Sequence, residues 1–217
     1  MQFDLKKYRI DILAIVCFII VSLAFCYPQL EGKKLYRHDN ISWQGMAHEA
    51  MAYHDSTGKD VLWSNSIFGG MPTYTTYVAA TNYNYVSYIQ SVLNKVGDPA
   101  SFYFIAMLCF YILMRVLGVN KWLSMVGALA YSFSTYNAII IAVGHNTKMI
   151  PIAYLPAAMA GLYMVFQEKW LTGAALLGVS CALIFSNNHF QVIYYAFLMF
   201  GCFGVGMFFV AMKEGRI

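Results

Sequence analysis

Three short polar stretches hold residues that could do chemistry. "RHDNISWQ" carries Arg37, His38, Asp39 and Gln44; "GHNTK" carries His145 and Lys148; "SNNHFQ" carries His189 and Gln191. A carboxylate such as Asp39 can take a proton from a hydroxyl or help hold a divalent metal, with Glu49 as a second oxygen ligand. An ammonium such as Lys148 is a point charge suited to phosphate, and imidazoles and amides can orient a polar substrate. Each has a plainer reading. Asp39 or Ser42 can cap a helix, Lys148 can snorkel to headgroup phosphates, and a lone loop histidine is commonly structural.

What must position these groups is a membrane bundle. The chain has 217 residues, 60% hydrophobic and 11% charged, where soluble domains carry roughly 25% charge. The apolar residues come in unbroken blocks, which a soluble fold would have to bury entirely. A span needs about 20 apolar residues. Six windows qualify, at 10–27, 102–117, 122–143, 150–166, 171–185 and 192–212. The basic start "KKYRI" invites a signal-peptide reading, but the bulky "FCYPQL" offers no cleavage site, so the first window reads as a retained helix. Cys17, Cys26, Cys109, Cys181 and Cys202 lie in or beside these windows without a C-x-x-C pair, and read as packing residues. The net charge of +4 forms no basic face of the kind nucleic acid requires.

Charge sets the expected orientation. With the N-terminus cytoplasmic, Lys6, Lys7, Arg9, Arg115, Lys121, Lys169, Lys213 and Arg216 fall on the cytoplasmic side, while the short outer loops keep only Lys148. The long segment 28–101, "GHNTK" and "SNNHFQ" then emerge together on the outer face.

Segment 28–101 is too long for a connector and too aromatic for a disordered tether. Trp43, Met46, Ala47, Ala50 and Met51 recur at helical spacing and Gly58 supplies a stop, which predicts an amphipathic helix on the membrane interface. "SIFGGMPTYTTY" adds a Gly-Gly turn and tyrosines suited to headgroup depth. "NYNYVSYIQSVLNKV" predicts a second interfacial helix, ended by "GDP". Ser132, Ser134, Thr135 and Asn137 sit inside the third window, and must bond to neighbouring helices or line a wet cavity.

These motifs carry a resemblance. "RHDNISWQ" with "FGGMPTY", "GHNTKMIPIAYLPAAMAG" and "SNNHFQVIYY" resemble the YfhO-like bacterial membrane proteins, of the GT-C class of glycosyltransferases, over most of residues 36–200. The resemblance implies an all-α multi-span enzyme of the bacterial inner membrane whose first outer loop bears a catalytic aspartate, a role that falls on Asp39. It implies a polyprenyl-phosphate sugar donor and a cell-envelope glycan or lipid acceptor. Topology, rather than the family, nominates Lys148 for the donor phosphate, with His145 and His189 second, and Arg37, Gln44 and Gln191 as further substrate contacts. Family members are longer, so the chain reads as an N-terminal part. A transporter or flippase for a lipid-linked substrate, and a non-catalytic scaffold, are the competing readings. Against the transporter, no charge is expected mid-span and no inverted repeat is visible.

Overall fold

A computed structural model of the chain describes residues 5–77 and 85–215. Nine α-helices make up the described part: α1 Leu5–Phe25, α2 His38–Thr57, α3 Ser87–Leu93, α4 Ala100–Val116, α5 Lys121–Ser132, α6 Thr135–Val143, α7 Asn146–Phe166, α8 Trp170–Phe185 and α9 Phe190–Lys213. One two-residue antiparallel ladder, β1 Trp63–Ser64 with β2 Met71–Pro72, lies in the segment after α2. The start of the second interfacial helix expected around "NYNYV" lies partly outside the described residues; what is described is the short α3.

Three helices, α1, α7 and α9, are long and apolar enough to cross a bilayer, or up to five if each bent pair counts as one span. The bent pairs are α3 with its following turn against α4, at 115°, and α5 against α6, at 45°. At 16 residues, α8 reaches about 24 Å at 1.5 Å per residue, short of a hydrocarbon core about 30 Å thick.

The window expected as one span at 122–143 is therefore two helices, and its polar residues hold the break. Asn137 Nδ2 donates to the Tyr131 carbonyl at 2.9 Å, a group that also accepts from the Ser134 N–H at 3.3 Å across the bend. Ser132 Oγ donates to the Tyr103 carbonyl on α4 at 2.8 Å. A comparable repair occurs in α7, which contains Pro151 and Pro156. Pro156 has no N–H for the Ile152 carbonyl, and Tyr131 Oη donates to that carbonyl instead, at 2.8 Å.

Packing is closest between α7 and α8. A Cβ on Gly161 would come 2.4 Å from the Leu177 nitrogen, and one on Gly173 would come 2.8 Å from the Val165 nitrogen. The two backbones touch there because neither glycine has a side chain. The buried core runs through α4 and the facing sides of α1 and α7, with Phe18, Ile105, Met107 and Met149 fully enclosed.

Charge gathers at the two ends of this bundle. At one end Asp11 of α1 accepts from Lys121 Nζ (2.6 Å) and Tyr111 Oη (2.7 Å), with Arg115 Nε 3.7 Å away. Asp11 lies inside the first expected span, and its role was not apparent from sequence. At the other end Gln29 clips the start of α4: its Oε1 accepts from the Ala100 N–H and its Nε2 donates to the Val96 carbonyl, both at 3.1 Å. Because α1 meets α4 at Asp11–Tyr111 and again at Phe25–Tyr103, the two run antiparallel.

Helix α2 forms where the sequence predicted. Trp43 and His54, on one face of it, reach the chain's own segment 59–77, and Ala47 and Ala50 between them are buried. Trp43 Nε1 donates to the Thr76 carbonyl, and His54 Nδ1 lies 2.8 Å from Asp60 Oδ1. Trp43, Met46 and Met51, of the expected apolar stripe, are exposed on the protein surface. The helix thus carries a folded flap of its own loop. Gly58 ends it in the left-handed region (φ 68°), its N–H bonded to the His54 carbonyl.

Candidate functional site

Neither Asp39 nor Ser42 caps α2. The helix begins at His38 behind Arg37, placing Asp39 in the first turn, where a carboxylate suits the positive end of the helix dipole. Its side chain leaves its own helix. Asp39 Oδ2 stands 2.9 Å from Nε2 of His145, the residue between α6 and α7. On its other side His38 Nδ1 lies 3.7 Å from Asp39 Oδ1.

Backbone fit makes that approach possible. A Cβ on Gly144 would meet Arg37 Cβ and Asn40 Oδ1, each at 2.9 Å, and the residue has φ +104°. Glycine alone suits both the conformation and the gap. "GHNTK" is accordingly not the open polar loop expected from sequence: only Gly144 and His145 separate the helices, and Asn146, Thr147 and Lys148 form the first turn of α7.

Lys148 Nζ sits 5.3 Å from the centre of the Tyr136 ring, within cation–π range. His189, just before α9, joins the same cluster. Burial, then the positive fields of Lys148 and His145, hold its imidazole below the ordinary value of 6.5, so neutral pH leaves it uncharged. Two buried atoms here lack a hydrogen-bond partner, His189 Nε2 and Asn146 Oδ1, and buried polar groups seldom stay unpaired without a purpose.

Four expected site residues thus gather at one end of the bundle: Asp39, His145, Lys148 and His189. The others go elsewhere. Arg37 is 5% exposed and makes a two-pronged ion pair with Asp98, through Nη1 at 2.8 Å and through Nη2, while its guanidinium lies 5.7 Å from the Phe102 ring centre. It ties the start of α2 to the start of α4. Gln44 lines a separate cleft with Arg37, Asn40 and Asp98. Gln191 is exposed on the first turn of α9. Asp98, which read as part of a helix-ending turn, and Asn40 and Asn146, which carried no signal of their own, are the residues that sequence reasoning missed.

Glu49 is separated from Asp39 by nearly three turns of the same helix, about 15 Å, so one ion cannot take both. Its carboxylate accepts instead from Ser64 Oγ (3.0 Å) and the Ser66 N–H (3.3 Å), and the Ser66 and Ser64 hydroxyls lower its proton affinity. Among the described residues no three His, Cys, Asp or Glu side chains gather as a metal set.

The arrangement offers a carboxylate for proton transfer, an imidazole to orient it, and a nearby ammonium for an anion. Comparison with family models, curated proteins and solved structures returns no match.

Proposed function

We propose that the chain acts as a membrane glycosyltransferase of the GT-C class, using a polyprenyl-phosphate sugar to glycosylate a cell-envelope glycan or lipid. In this reading six helical units span the bacterial inner membrane, α8 included, with the N-terminus cytoplasmic and the Asp39 end outward. The motif resemblance supports the assignment, and one observation carries the chemistry: Asp39 paired with His145 at 2.9 Å beside Lys148 and His189.

Asp39 takes the proton of the acceptor hydroxyl as that oxygen bonds to the anomeric carbon from the face opposite the phosphate. The bond from that carbon to the phosphate oxygen breaks, and configuration inverts. The lipid phosphate departs with the electron pair, its charge met by Lys148. His145 orients the carboxylate, and neutral His189 is free to donate a hydrogen bond through its unpartnered nitrogen.

The experiment is transfer of labelled sugar from a polyprenyl-phosphate donor by purified protein. Asp39→Asn should abolish transfer while melting temperature and yield stay those of the parent. Full turnover by the variant would overturn the proposal.

A further inference from the structure

Two clefts lie side by side at the Asp39 end of the bundle and share Lys34 and Leu35. The first, about 510 Å³, is walled by Phe25 at the end of α1, Tyr103 of α4, and Ala138, Ile141 and Ala142 of α6. The second, about 550 Å³, is the more polar of the two, with Asn40, Gln44, Arg37 and Asp98 in its lining. An apolar compartment beside a more polar one suits an amphiphile.

The junction carries unbalanced positive charge. Lys33 Nζ is taken by Glu31 at 2.5 Å, and both Asp98 oxygens are taken by Arg37. Among the described residues no carboxylate pairs with Lys34. Arg37 Nε, in the polar compartment's lining residue, is buried without an acceptor. An anion at the junction would balance Lys34, and a chain attached to it would fill the first cleft.

We infer that this double cleft seats an anionic glycerophospholipid with a hydroxylated headgroup, of the phosphatidylglycerol kind. One acyl chain lies against Phe25, Tyr103 and Ile141, the phosphate lies at Lys34, and the head hydroxyls meet Asn40 and Gln44. A cationic headgroup fits worse, because the carboxylate in the polar compartment is committed to Arg37. The site is a lipid seat beside the Asp39–His145 pair, and it stands whether or not the chain transfers sugar.

The test is native mass spectrometry of the delipidated full chain, titrated in turn with dioleoylphosphatidylglycerol, dioleoylphosphatidylcholine and a polyprenyl phosphate. One phosphatidylglycerol should be retained in preference to phosphatidylcholine. Lys34→Gln should lower its affinity about fivefold, and Lys59→Gln, beyond the far end of α2, should leave it unchanged. Ala142→Phe, which fills the apolar wall, should release the lipid while the melting temperature shows the fold intact. Equal retention of the two phospholipids, or an unchanged affinity in Lys34→Gln, would overturn the inference. Selective retention of the polyprenyl phosphate over phosphatidylglycerol would overturn it too, assigning the cleft to a different lipid.

Discussion

Asp39 and His145 face each other 2.9 Å apart across the junction between the first turn of α2 and the turn joining α6 to α7. The carboxylate could have satisfied the exposed backbone N–H groups of its own helix, and instead turns to a group far along the chain.

If that pairing orients Asp39 for proton transfer, His145→Ala should slow sugar transfer about 100-fold, with little change in KM. The pH profile of the rate should also change shape. A variant that loses activity only in proportion to its loss of folded protein would mark His145 as purely structural. Steady-state kinetics across pH separates the two cases.

His189 predicts a stability that depends on pH. Its folded-state proton affinity is lowered, so between the folded value and about 6.5 the unfolded chain binds more protons. The folded state is therefore most favoured above about 6.5 and loses stability as the pH falls through that window. Melting temperatures in detergent should drop between pH about 7.5 and about 5.5, and His189→Gln should flatten part of that slope. An identical slope in the variant would contradict the burial of the imidazole.

Gly161 and Gly178 should respond oppositely to the same methyl group. Gly161→Ala drives a Cβ into the backbone of α8 and should cost about 1–3 kcal/mol. Gly178 has nothing within 4 Å of its would-be Cβ, so Gly178→Ala should be neutral or gain up to about 1 kcal/mol. Thermal unfolding of the two variants checks both directions.

Tyr131 and Pro156 should couple in a double-mutant cycle. Tyr131→Phe strands the Ile152 carbonyl and should cost about 1 kcal/mol. In a Pro156→Ala background the restored N–H can serve that carbonyl, and the cost of losing the hydroxyl should shrink towards zero. Additive effects would mean that the proline and the tyrosine do not share an acceptor.

The apolar blocks were legible because a helix in lipid must be apolar over nearly its whole length, and each expected window overlaps a helix or a bent pair. The break at Ser132–Thr135 was not, because nothing local distinguishes Asn137 holding freed carbonyls from Asn137 lining a cavity. The gathering of the histidine stretches at one end followed from counting passes through the bundle. What Asp39 and Arg37 do there did not, since a carboxylate at a helix start reads as a cap until its distant partner is known. Arg37 read as a substrate contact because the carboxylate that occupies it, Asp98, lies on the far side of the long loop. On α2 the apolar spacing identified the helix; the reach of Trp43 and His54 to the chain's own segment 59–77 was not legible, since those partners lie beyond the Gly58 stop.

Gly144 gives the Asp39–His145 pair its tolerance. Its missing side chain lets the main chain between α6 and α7 rest against the Arg37 and Asn40 side chains, on either side of Asp39 in sequence, so the turn that carries His145 can sit close to the carboxylate. One added methyl group would act as a shim, and every residue except glycine carries at least that much.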